Sequence, residues 1–142
     1  GKWEAAASAD ILGSGNVTNA ALEADPVSTD GLNEVYFGSI DSAGAIAVTI
    51  VWGFFSGPPG QRELIEWDQV YDQVDFDWSL YGEAGKMDLS NIATHEIGHA
   101  TGLGHPDDSC TEETMFRFAE AGETKKRDLN AGDIAGITDL YG

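Results

Sequence analysis

The chain has 142 residues, 42% of them hydrophobic, which suits one domain with a single core and is cramped for two. Its 25 acidic residues against 7 basic ones give a net charge of −18, which repels nucleic-acid phosphates and anionic lipid surfaces. The longest apolar run, Ala45 to Phe55, is interrupted by Thr49 and Gly53 and is too short to span a bilayer.

In chain order, Gly1-Lys2-Trp3-Glu4 lacks the charged-then-apolar layout of a secretory signal. The alanine-rich stretch Trp3 to Leu12 predicts a helix, or its last turns, closed by Gly13-Ser14-Gly15. Asn16 to Gly31 is rich in turn formers and reads as loop. Asn33 to Ile40 and Ala45 to Phe54 carry β-branched and aromatic residues around Asp41-Ser42-Ala43-Gly44, which predicts two adjacent strands joined by a turn. Ser56 to Gly60, with two prolines, ends the second of these. Glu63 to Asp77 then suggests a strand through about Tyr71.

After a loop at Gly82 to Lys86, Asp88 is placed to cap a helix from Leu89 to about Thr101, ended by Gly102. Gly104 to Lys126 has no sustained period and reads as an irregular excursion. Asn130 and Asp133 resemble a capping pair for a last helix whose Ile134, Ile137, Leu140 and Tyr141 recur at helical spacing, predicting an apolar docking face. No repeat or low-complexity linker divides the chain.

All three histidines fall in one segment, His95-Glu96-Ile97-Gly98-His99-Ala100-Thr101-Gly102-Leu103-Gly104-His105. Helical residues four apart share a face, with Cβ atoms roughly 5–6 Å apart, so His95 and His99 can aim at one ion. A third ligand needs the chain to turn away; Gly102 permits the turn, and His105 returns to complete three imidazoles. Three protein ligands leave one zinc position open for water, and Glu96, next to the first ligand, is placed to take that water's proton as general base. A closed structural site with Cys110 as fourth ligand is the other metal reading, in which Glu96 has no task. Cys110 has no partner for an internal disulfide.

Over these residues the chain resembles the metzincin metallopeptidases, and among them the matrixins. Thr114-Met115-Phe116 stands where that family places its Met-turn beneath the zinc. The tail Leu129 to Gly142, with Asp133-Ile134, Gly136-Ile137 and Leu140-Tyr141-Gly142, is similar to the matrixin closing helix. The resemblance implies an α+β fold, a twisted mixed β-sheet packed on an active-site helix and a C-terminal helix, cut short at the amino terminus, where the family's first strand is missing. It implies one catalytic domain over residues 1–142, with an upper part to Gly102 and a lower part from Leu103 bearing Met115. It further implies a secreted, extracellular, monomeric zinc endopeptidase acting on peptides or proteins.

Substrate would lie along Ala45, Ala47 and Thr49 if that strand is the sheet edge above the cleft; a buried core strand is the equal alternative. The pocket beside zinc would be walled by Thr94 and His95 and by the segment from Met115 and Phe116 to about Lys125. Against the family pattern, no histidine remains for a second zinc, Cys110 lies downstream of the ligands, and Pro106 follows the third histidine. An inactive peptide-binding module of the same fold is the first alternative function. A calcium-dependent acidic protein is the second, suggested by Asp72, Asp75, Asp77 and the loop Asp107 to Glu113, and one accessory calcium ion is compatible with either reading.

Overall fold

The computed structural model describes residues 1–142. The sheet has three strands, β1 (Glu34–Gly38), β2 (Ala47–Phe54) and β3 (Glu63–Asp72), in the order β1-β3-β2. β1 runs parallel to β3, Glu34 opposite Asp68, and β2 runs antiparallel to it, Thr49 opposite Gln69. The first two strands are therefore not neighbours, contrary to the adjacency their spacing in sequence predicts. The turn cluster after Phe54 folds β2 directly back onto β3, with Phe54 paired to Glu63, so the link from β1 to β2 has to cross the third strand. β2 is consequently an edge strand, half-buried except at the exposed Val48 and Phe54, and the buried-core alternative fails.

A small parallel pair, β4 (Trp78–Ser79) with β5 (Met87–Asp88), brackets the Gly82 to Lys86 loop; two-residue strands carry too little pattern to be foreseen. β5 runs straight into α2 (Leu89–Ala100), where the Asp88 side chain accepts the Asn91 N–H at 2.9 Å, as its capping position predicts. Gly102, at φ +96°, takes the left-handed turn, and the N–H groups of Gly102 and Leu103 close onto the carbonyls of His99 and Gly98.

The opening helix, α1 (Lys2–Ala7), is shorter than predicted. Ser8 adopts a left-handed conformation at φ 55°, and the Glu4 carboxylate draws the chain back by accepting the N–H groups of Ile11 and Leu12. Trp3 and Ala7 form a compact core with Met115 and with Ile137 of α3 (Ala131–Tyr141). The apolar face predicted for α3 is narrower than its spacing implies. Ile137 is fully buried, but Ile134 and Leu140 are 43% and 47% exposed, because the small α1 covers only a strip of α3. Tyr141 faces inward through its hydroxyl, which donates to the Thr101 carbonyl.

Candidate active site

The site grows from α2. His95 and His99 project from one face, and the turn at Gly102 carries His105 back, so that His105 Nε2 lies 3.2 Å from His95 Nε2 and 3.1 Å from His99 Nε2. A tetrahedral ion with Zn–N bonds of about 2.0–2.1 Å sets its ligand atoms about 3.3–3.4 Å apart, close to both separations from His105. The far nitrogens settle the tautomers. His95 Nδ1 donates to the Thr114 carbonyl and His99 Nδ1 to the Leu103 carbonyl, each at 2.7 Å, leaving lone pairs on the converging Nε2 atoms. Burial pushes the His95 pKa down to about 3 and lowers that of His105, favouring the neutral imidazole that a metal requires. Cys110 is not among the donors gathered there.

Glu96 is 6% exposed and lines the cleft beside the imidazoles. Burial raises its pKa; a hydrogen bond from Thr49 and the charge of His99 oppose that rise. A carboxylate lifted toward working pH is the better proton acceptor and donor.

The wall beneath His95 is built from the turn at Thr114 and Met115. Asp133, at the start of α3, is buried, and its carboxylate accepts the N–H groups of Thr114 at 2.7 Å, Met115 at 3.1 Å and Asn130 at 2.9 Å. This fixes the Thr114 carbonyl that orients His95. Met115 packs under Gly98, where a Cβ would stand 2.2 Å from the Met115 sulfur and 2.8 Å from the Trp3 ring. Only glycine allows α2 to sit this close to the turn.

The cleft has a volume of about 680 Å³. Ala45, Ala47 and Thr49 line one side and Phe116 the other, around Glu96 and the histidines. Thr94 lies elsewhere: its hydroxyl donates back to the Ser90 carbonyl, its own carbonyl accepts Trp3 Nε1, and it does not line the cleft. On a helix it points away from its neighbour His95, toward the core. Lys126, one residue past the predicted wall, does line it. Its ammonium is buried over the Phe116 ring, 5.3 Å from the centroid, and lies 3.4 Å from Glu123. Asp133 and Lys126 escape sequence reasoning because a cap and a surface lysine are the ordinary readings of such residues.

The acidic groups suggested for calcium do not gather. Asp72 instead accepts backbone N–H groups from Ile40, Val74 and Asp75, which lower its pKa, and Asp107 accepts from Ser109. A different set converges: Asp25, Glu66 and Asp68 bring ligand oxygens within 4.8 Å of one another.

The matrixin family model matches residues 7–142. Metalloendoproteinase 5-MMP of Arabidopsis thaliana is 32% identical over 123 residues, 71% of this chain and 33% of that protein. Metalloendoproteinase 1-MMP of the same plant is 46% identical over 56 residues, covering 39% of this chain and 15% of that protein. Matrilysin of Rattus norvegicus is 38% identical over 61 residues, covering 43% and 22%. The matched segments thus span between 15% and 33% of these relatives' lengths. With a mixed sheet, a His-Glu helix and a closing helix in place, and a family match running from α1 to the last residue, the chain belongs to the matrixin family.

Proposed function

We propose that the chain is a zinc-dependent endopeptidase in which His95, His99 and His105 hold the ion and Glu96 is the general base. The carrying observation is the placement of a buried carboxylate beside three converging imidazole nitrogens, all opening on one cleft. When bound, zinc supplies Lewis acidity, which acidifies water and polarises a carbonyl. The rest falls to the protein. Glu96 Oε2 is held by Thr49, so Oε1 takes the proton of the attacking water and returns it to the leaving amine nitrogen as the peptide C–N bond breaks. The free edge of β2 at Ala47 to Thr49, with Ala45 just before it, offers backbone groups that align an extended peptide as an added strand. Phe116 supplies an apolar surface opposite. The upper part, to Gly102, would carry the base and two ligands, and the lower part, from Leu103, the third ligand and Met115. No helix is long and apolar enough to cross a membrane, and we extend the reading to a secreted monomer acting on peptide or protein substrates.

The test is cleavage of a quenched peptide library with and without chelator, combined with metal analysis. One zinc per chain should leave together with activity. Glu96→Ala should keep the zinc and lose about 10²–10⁴-fold in turnover, while His99→Ala loses the ion itself. A chain that binds zinc and peptide without cleaving is the inactive module; equal zinc loss in both variants contradicts the role given to Glu96.

An accessory calcium ion fits Asp25, Glu66 and Asp68. Glu66 is 1% exposed, and its Oε1, like Asp25 Oδ2, is enclosed without a hydrogen-bond donor. Carboxylate oxygens without donors are the ligands that a hard cation takes.

A further inference from the structure

Glu96 Oε2 receives one hydrogen bond from the protein, from Thr49 Oγ1 at 2.6 Å; the same hydroxyl stands 3.2 Å from the Glu96 backbone oxygen. A hydroxyl has a single proton, and the shorter, charge-assisted contact takes it. The bond ties the edge strand β2 to α2 across 47 positions of sequence. Its neighbours cannot replace it. Thr49 pairs with Gln69 and Ala47 with Tyr71, so these side chains share one face of the sheet, but the Tyr71 hydroxyl donates to Gln69 Oε1 at 2.9 Å. No other side chain or backbone group donates to the Glu96 carboxylate, so Oε1 has no hydrogen bond from the protein, and the residue lines the cleft.

We propose that Thr49 is a positioning residue for the general base, holding Oε2 so that Oε1 presents its lone pair to the reacting water; this rests on the reading of Glu96 as base. The β-branched side chain on a strand has few χ1 rotamers, so the hydroxyl is aimed in advance of substrate. The Thr49 side chain thereby acts through Glu96, while its backbone stays on the edge strand. Without its hydroxyl the carboxylate has no fixed orientation and its burial is uncompensated.

Thr49→Val keeps the shape and removes the donor. The expected result is a fall in kcat of about 10- to 100-fold. KM should stay within about twofold, with zinc content unchanged and the chain still folded. Thr49→Ser should recover most of the loss. Unchanged kcat in Thr49→Val, a rise in KM alone, or loss of zinc or folding that Thr49→Ser does not repair overturns the proposal. A second measurement needs no turnover: in the chelated chain, Thr49→Val and Glu96→Ala should shift the urea midpoint non-additively, and additivity sinks the bond. An inactive parent chain counts against the role of Glu96, whereas the cycle still decides whether Thr49 holds that carboxylate.

Discussion

The histidine centre and the acidic cluster are both gatherings of metal-type ligands, yet they are built oppositely. The histidines come from eleven consecutive residues, and the second nitrogens of His95 and His99 are spoken for by the Thr114 and Leu103 carbonyls. The acidic groups come from the loop before β1 and from β3. Asp68 accepts the N–H groups of Asp25 and Glu34, each at 3.0 Å, and Glu66 accepts that of Gly31, but Asp25 Oδ2 and Glu66 Oε1 have no donor. Burial first, then the charges of Asp30, Asp68 and Glu66, raises the pKa of Asp25. A helix-based site can be complete before its ion arrives. Carboxylates collected by tertiary proximity repel one another until a cation joins them.

The comparison can be broken most strongly at Asp133. Asp133→Ala frees the N–H groups of Thr114 and Met115, loosens the carbonyl under His95 and uncaps α3. Zinc affinity should fall about 10- to 100-fold in a competition titration. The same variant should lose about 3 kcal/mol in urea unfolding through its charged hydrogen bonds.

Next in size is Asp88→Asn. Asp88 is fully buried, caps α2 and meets Arg127 through both oxygens. The Arg127 bond first, then the Asn91 N–H, holds its pKa below the usual carboxylate range against the effect of burial. Its stabilisation is therefore complete above the unfolded carboxyl pKa and disappears as pH falls through the folded one. Denaturation at neutral pH should show a loss of about 2 kcal/mol, Arg127 being partly solvated. The difference from the parent should vanish in acid below the folded pKa; a gap that persists there contradicts the ion-pair account.

The smallest effect in the absence of added ion, and the sharpest in sign, belongs to Glu66→Gln. Removing charge here relieves repulsion, so in calcium-free buffer the variant should be no less stable than the parent. Calcium at a hundredfold excess over its dissociation constant should stabilise the parent by about 2.7 kcal/mol and the variant much less. Calorimetry that shows equal calcium responses would remove the cluster as a cation site. Two amide-for-carboxylate changes thus carry opposite expected signs, according to whether the carboxylate is paired with Arg127 or crowded by its own kind.

The centre was legible because its spacing is also its geometry. Four residues along a helix place His99 over His95, and a glycine past the helix end admits the turn to His105. The capping roles of Asp88 and Asn130-Asp133 were readable for the same local reason. Strand order was not: Asn33 to Ile40 and Ala45 to Phe54 look like a hairpin, and only the return of β3 between them, set by the turn after Phe54, separates them. The exposure of Ile134 and Leu140 depended on how little of α3 the short α1 covers. Thr94 was misplaced because sequence adjacency to His95 says nothing about which side of the helix faces the cleft.

What the amino-acid sequence determined by itself is therefore the gathering of His95, His99 and His105 with Glu96 beside them and the bounds of α2 and α3, all of which obey periodicities of a few residues. Only the tertiary structure decided that Asp133 supports His95 through Thr114, that Thr49 holds Glu96, and that Asp25 meets Glu66 and Asp68. These pairings span from 19 to 47 positions. They follow from how the sheet edge, the Thr114–Met115 turn and α3 close on α2, and from how the loop before β1 folds onto β3, which no local pattern encodes.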